Sequence, residues 1–105
     1  MNNRKKIAYE FAKSINSDNI IKIILFGSVA RGEKSDIDIL IVSNYRENIE
    51  DIIAEEVAWI MYDRNELISA HIMSEDRLIN TQHFSFLSNV LLEGVEIGWN
   101  SSIFW

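Results

Sequence analysis

The run Gly27 to Val42, "GSVARGEKSDIDILIV", constrains this chain more than any other part of it. Asp36 and Asp38 stand one residue apart at the head of an apolar segment that continues Ile39-Leu40-Ile41-Val42. The β-branched content predicts a strand over residues 36–43. Alternate residues of a strand share a face, so both carboxylates project together while Ile37, Ile39 and Ile41 project from the other side. Neighbouring carboxylates repel, and partial burial raises the cost of keeping both ionised. A strand that only had to pack would not carry them.

A divalent cation relieves both costs. Hard oxygen ligands suit Mg²⁺, which takes one or two protein carboxylates and fills its other positions with water and substrate phosphate. The plain alternative is a pair of solvated aspartates at a strand entry, and an Asp-x-Asp alone does not decide between them. An EF-hand loop fits less well, because Leu40 and Val42 stand where further polar ligands are needed.

The upstream half adds information. Ile21 to Phe26 reads as a short buried strand, and "GSVARG" begins where it ends. Gly27 permits close backbone approach. Ser28 offers a hydroxyl and can open a helical turn. Exposed N–H groups at such a turn form an anion site, and Arg31 adds a nearby positive charge. A P-loop is excluded, since no Gly-Lys-Ser/Thr follows. If the two strands are neighbours, a phosphate-cradling turn and a carboxylate pair meet at one end of the sheet. That combination suits nucleotidyl transfer, with attack on the α-phosphate of a nucleoside triphosphate and departure of pyrophosphate.

Periodicity supplies the other elements. Ile7, Ala8, Phe11, Ala12 and Ile15 share one face of a helix over 3–16. The spacing of Ile49, Ile52, Ile53, Val57, Ile60 and Met61 predicts a helix over 47–62 with one apolar stripe. A third strand is expected over 66–73, short helices over 75–80 and 85–93, and a last strand over 95–99. Ser74 is placed to cap the first of these helices, and Gly94 to stop the second. The first two strands are too closely linked for a helical crossover, so they are expected to pair antiparallel. The fold class is α+β, a small mixed β-sheet with helices packed on it.

The run "LFGSVARGEKSDIDILIV" closely resembles the signature of the minimal nucleotidyltransferases, small members of the DNA polymerase β-like superfamily. Gly27-Ser28 and Asp36-x-Asp38 are separated by seven residues, a short spacer for that family. The leading helix, the helix after the second strand and "LLEGVEIGW" extend the resemblance along the chain. It implies a nucleotidyltransferase fold like the polymerase β palm, with residues 1–105 as a single minimal nucleotidyltransferase domain. It implies that Asp36 and Asp38 bind the catalytic metals, a two-metal Mg²⁺ site with Mn²⁺ as the alternative. Gly27 and Ser28, with Arg31 beside them, would bind the triphosphate of ATP. The family usually adds a third carboxylate from a later strand as general base. Here that strand reads "ELISAHIM": His71 stands where the carboxylate is expected, and Glu66 lies at the strand's start. Either is a candidate. A histidine is able to act as a base near neutral pH, and a lone histidine in an apolar strand is more often structural.

Composition narrows the partners. The net charge of −6 argues against broad binding to a nucleic-acid backbone. The short basic run Arg4-Lys5-Lys6 reads as a solvated helix face. There is no cysteine, and the two histidines, His71 and His83, lack metal-ligand spacing, so a zinc site is not expected. No apolar run approaches membrane-spanning length, and the N-terminus lacks a signal peptide's apolar core. A cytoplasmic protein is expected.

Small members of the family are commonly the antitoxin beside a helical HEPN-domain toxin, and some transfer AMP from ATP to the partner. The resemblance therefore implies a Mg²⁺-dependent AMP transferase acting on a HEPN-type partner. The alternative is a catalytically weak or inactive binding module that neutralises its partner by contact. Trp59, Tyr62, Phe84, Phe86 and the Phe104-Trp105 tail are candidates for a partner or dimer surface. The nucleotide, the acceptor and homodimer formation through the last strand are left open by the sequence.

Overall fold

Two apolar runs with opposite-facing alternation build the centre of the sheet. Strand β1 (Lys22–Phe26) and strand β2 (Ile37–Val42) pair antiparallel, with Lys22 opposite Val42 and Phe26 opposite Asp38. The computed structural model describes residues 3–27, 36–81 and 85–99, apart from the side chains of Ser85, Phe86, Asn89, Leu91 and Trp99. Helix α1 (Asn3–Ile15) precedes β1. Helix α2 (Arg46–Arg64) leads from β2 to strand β3 (Ile68–Met73), which lies parallel to β2 as a helical crossover allows. Helices α3 (Glu75–Thr81) and α4 (Ser85–Glu93) follow, and strand β4 (Val95–Trp99) pairs antiparallel with the free side of β1. The sheet order is β3-β2-β1-β4, so the sheet is mixed and its two middle strands are those that flank the signature.

Alternation divides the core into two layers. Ile23, Leu25, Ile37, Ile39 and Ile41 face α1 and α2, where Phe11, Ile49 and Ile53 close over them. Ile24, Phe26, Leu40 and Val42 face the other way, against Leu87 and Val90 of α4. Removing each large side chain from water stabilises the fold by about 1.5–3 kcal/mol before conformational entropy is charged. This leaves β2 buried on both faces except at Asp38, which is only half-buried.

Several expectations shift by a residue or two, and two of the shifts matter. Asp36 lies just before β2 rather than inside it, and Glu66 lies two residues before β3. The apolar stripe of α2 is also narrower than its spacing predicts. Ile49, Ile53 and Ile60 are buried, while Ile52 is 50% exposed and Met61 42% exposed. The helix meets the sheet along one line, and residues off that line turn outward. Asn65 closes α2 in the left-handed conformation at φ 54°, its N–H donating to the Met61 carbonyl at 3.1 Å. Gly94 ends α4 as expected, but by close approach and not by a left-handed turn. Its N–H donates to the Val90 carbonyl at 2.8 Å, and a Cβ there would press on that oxygen and on Ile24. Among the described residues no helix is long and apolar enough to cross a membrane.

Candidate active site

The β1–β2 register sets the site. Phe26 opposes Asp38, so the next residue, Gly27, meets the Asp38 side chain. A Cβ on Gly27 would lie 2.6 Å from Oδ2 of Asp38, closer than real contacts allow, and the residue's φ is +76°. Only glycine meets both conditions without strain. The backbone leaving β1 is therefore pressed against the carboxylate that enters β2, a juxtaposition the sequence expects only if the strands are neighbours.

Asp38 shares its sheet face with Leu40 and Val42, against α4. Burial pushes its carboxyl above the usual value, His71 pulls it down, and the charge of exposed Asp36 pushes it up further. Asp36 is thus close enough for its charge to oppose ionisation of Asp38. Among the described residues, no side chain donates a hydrogen bond to either. A half-buried anion held beside a second carboxylate is the donor chemistry that a hard divalent cation satisfies. No larger cluster competes for that role: among the described residues, no three histidine or carboxylate side chains are grouped to hold a metal.

The two candidates for a third functional group separate cleanly. On β3, Ser69 aligns with Asp38 and His71 with Leu40. His71 is exposed on the same sheet face as Asp38, and its ring centroid lies 6.0 Å from that of Phe26, tilted by 46°. Glu66 is turned to the α1 side, where its Oε2 is 3.2 Å from Nε of Arg4. The basic run at the start of α1 is therefore not wholly solvated, because Arg4 is committed to that pair. The structure brings Gly27, Asp36, Asp38 and His71 to one corner and leaves Glu66 on the far face. Ser28 and Arg31 lie outside the described residues, as do Phe84 and the Phe104-Trp105 tail; for Phe86 only the backbone is described. Trp59 and Tyr62 are 59% and 84% exposed and stack with ring centroids 6.0 Å apart, so both stand at the surface as expected.

Sequence reasoning missed Arg46 and Arg77. Both line a groove that runs along the Asp38 face of the sheet beyond His71. Nothing in their local sequence marks them, since the crossover of α2 and the turn into α3 bring them together.

A mixed four-stranded sheet, with a glycine turn leaving one central strand and Asp-x-Asp entering the next, defines a protein of the nucleotidyltransferase fold. Residues 6–87 match the nucleotidyltransferase domain family, and the chain belongs to that family. It is 38% identical over 98 residues to a Methanocaldococcus jannaschii protein named "Putative protein adenylyltransferase", covering 88% of this chain and 95% of that one. Its fold is similar to that of a chain in a toxin–antitoxin structure with AMP-PNP (TM-score 0.61, 18% identity, 97% of this chain and 77% of that one). It is also similar to a chain in a complex of tri-AMPylated Shewanella oneidensis HEPN toxin with MNT antitoxin (TM-score 0.58, 16% identity, 95% and 76%). At those identities the structural likeness speaks to the fold. The chain is a nucleotidyltransferase-domain protein.

Proposed function

We propose that this chain transfers AMP from ATP to a hydroxyl group on a protein partner, and that the partner is a HEPN-type toxin which the transfer neutralises. The observation that carries the proposal is the contact of Gly27 with Asp38: the turn suited to phosphate and the carboxylate suited to metal share one corner. The curated relative named as a protein adenylyltransferase supports the choice of AMP and of a protein acceptor. The HEPN toxin in the similar complex supports the partner. We take residues 1–105 as one such domain, and a cysteine-free chain fits a cytoplasmic setting.

Asp36 and Asp38 would hold Mg²⁺, which when bound supplies positive charge to the reacting phosphates. Gly27 leaves room for the backbone to approach a phosphate, and Ser28 and Arg31 are proposed to bind the same group. The acceptor oxygen forms a bond to the α-phosphorus as the bond from that phosphorus to the bridging oxygen breaks, and pyrophosphate leaves with the electron pair. Of the two candidate bases, His71 is favoured to take the acceptor's proton, because it shares the Asp38 face and Glu66 does not.

Calorimetric titration with ATP, GTP, CTP and UTP, with and without Mg²⁺, tests the site. ATP binding that needs Mg²⁺ and is lost in Asp36→Asn/Asp38→Asn is expected, together with an added adenylate on the partner by mass spectrometry. Transfer that survives in the double variant would refute the assignment. One observation favours the second reading, a binding module: among the described residues no third carboxylate joins Asp38. That reading requires partner neutralisation to persist in the double variant without transfer.

A further inference from the structure

The outer face of α2 carries large apolar groups that packing does not explain. The helix covers the sheet face opposite Asp38, and Ile49, Ile53 and Ile60 bury its inner line. Ile52, Trp59 and Tyr62 stand off that line and are at least half exposed. With Asp51, Glu55 and Glu56 they recur at three- and four-residue spacing, so one helix face presents them together. From Ile52 to Tyr62 the stripe runs roughly 15 Å along the axis. The rings of Trp59 and Tyr62 stack with centroids 6.0 Å apart and planes inclined by 25°. Each ring restrains the other, which lowers the ordering cost that a binding partner meets. Tryptophan and tyrosine are also the side chains that most often anchor protein interfaces.

Charge decides what fits this face. Between Arg46 and Arg64 the helix has no lysine or arginine. Arg46 donates from Nη2 to the Ile72 carbonyl at 2.6 Å, and Arg64 is committed to Glu10 at 2.9 Å and Asp63 at 3.4 Å. Among the described residues, Asp51, Glu55 and Glu56 have no cationic partner. An open hollow of about 470 Å³ lies beside Glu55, Glu56, Ala58 and Trp59. A lysine or arginine stem can lie on the indole there while its charged head reaches the carboxylates. A second copy of the same face would set carboxylate against carboxylate. A nucleic-acid backbone or an anionic membrane surface would be repelled.

We propose that this face docks a basic amphipathic helix of a partner protein. Apolar side chains of that helix cover Ile52, Trp59 and Tyr62, and its lysine or arginine side chains lie on Glu55 and Glu56. A helix presents its side chains at the same three- and four-residue spacing as the stripe. The face lies across the sheet from the Asp38 corner, so the docked helix leaves that corner open. The inference goes beyond the transferase reading and does not rest on it.

The probe is a labelled amphipathic helical peptide with leucines along one face and arginines on its flanks. One control replaces the arginines with glutamates, and a second keeps the composition but scrambles the order so that no apolar face forms. Each is titrated by fluorescence anisotropy, without nucleotide, into the whole chain, into Trp59→Ala and into Glu55→Lys/Glu56→Lys, with circular dichroism confirming the fold. Sedimentation velocity of the chain alone reports self-association, and calorimetry with Mg²⁺–ATP runs in parallel. The ordered arginine peptide is expected to bind tightest, to weaken about tenfold in each variant, and to weaken with salt. Mg²⁺–ATP affinity should not change in these variants. Either control binding as tightly, no binding of the arginine peptide, or unchanged binding in both variants would overturn the proposal. A chain that self-associates and is dispersed by Trp59→Ala would also overturn it and assign the face to a second copy. Loss of Mg²⁺–ATP affinity in the variants would overturn the separation of this face from the Asp38 corner.

Discussion

Gly27→Ala is the substitution whose cost follows most directly from the geometry. Two terms contribute. The residue sits at φ +76°, where a side chain costs about 1–2 kcal/mol. The new methyl would also stand 2.6 Å from Oδ2 of Asp38, so the carboxylate must rotate aside. Forcing a side chain about 30° off its rotamer costs roughly 0.5–1.5 kcal/mol. The sum is a loss of about 1.5–3.5 kcal/mol, and a Tm drop of roughly 6–20 °C for a chain of this size. Mg²⁺–ATP affinity should fall as well, because the displaced group is the proposed metal ligand. A double-mutant cycle separates the terms. In an Asp38→Ala background the clash is gone, so Gly27→Ala should cost only the backbone share, about 1–2 kcal/mol. Urea denaturation of the four proteins measures the coupling. Strict additivity, or a Gly27→Ala protein as stable as the parent, would refute the claim that this glycine exists to lie against this carboxylate.

The other predictions address the same corner and its support. The Asp38 carboxyl is raised in the folded chain by burial, so its ionisation opposes folding. The stability it contributes is fully present below the unfolded pKa near 3.8 and is lost as pH rises through the higher folded value. Asp38→Asn should therefore be more stable than the parent at neutral pH, and the difference should shrink on acidification, as read by denaturation at several pH values. His71→Gln should slow AMP transfer by about 10²–10⁴-fold if the imidazole takes the proton, whereas Glu66→Gln should leave transfer rates unchanged and alter stability by under about 1 kcal/mol. Equal losses in both variants would argue against His71. Ser43 is 1% exposed; its hydroxyl donates to the Asn19 carbonyl and accepts from the Tyr45 N–H, so Ser43→Ala should cost about 1–3 kcal/mol in urea denaturation.

The parts of the fold that are legible in the sequence are those encoded locally. The alternation Ile37, Ile39, Ile41 announces a buried strand, and the four- and three-residue spacing through α1 announces its buried face. The antiparallel pairing of β1 and β2 is also legible, because their link is too short for a crossover. What stays hidden depends on distance and angle. The sequence spacing of Ile52 and Met61 satisfies a helical stripe, but the line of contact between α2 and the sheet excludes them. Glu66 and His71 are alternatives on paper because parity puts them on opposite faces of a strand without saying which face Asp38 shares. The register of β3 against β2, Ser69 beside Asp38 and His71 beside Leu40, keeps His71 on the Asp38 face, and Glu66 turns to α1.

The same reasoning explains why the two aspartates are not equivalent. Asp38 is inside β2, its backbone fixed on both sides by β1 and β3, and its side chain half-buried against Gly27. Asp36 precedes the strand and is exposed. A position fixed by two ladders holds a ligand with little freedom left to lose, whereas a position at a strand entry has more to give up on binding. Burial has already disfavoured the bare charge on Asp38, so a bound cation gains most there. Loss of Asp38 should then weaken Mg²⁺-dependent ATP binding more than loss of Asp36. Calorimetry of Asp36→Asn and Asp38→Asn as single variants ranks them. If Asp36→Asn proves the more damaging, the anchoring of Asp38 by the sheet is not what the site depends on, and the geometry beyond the strand must be.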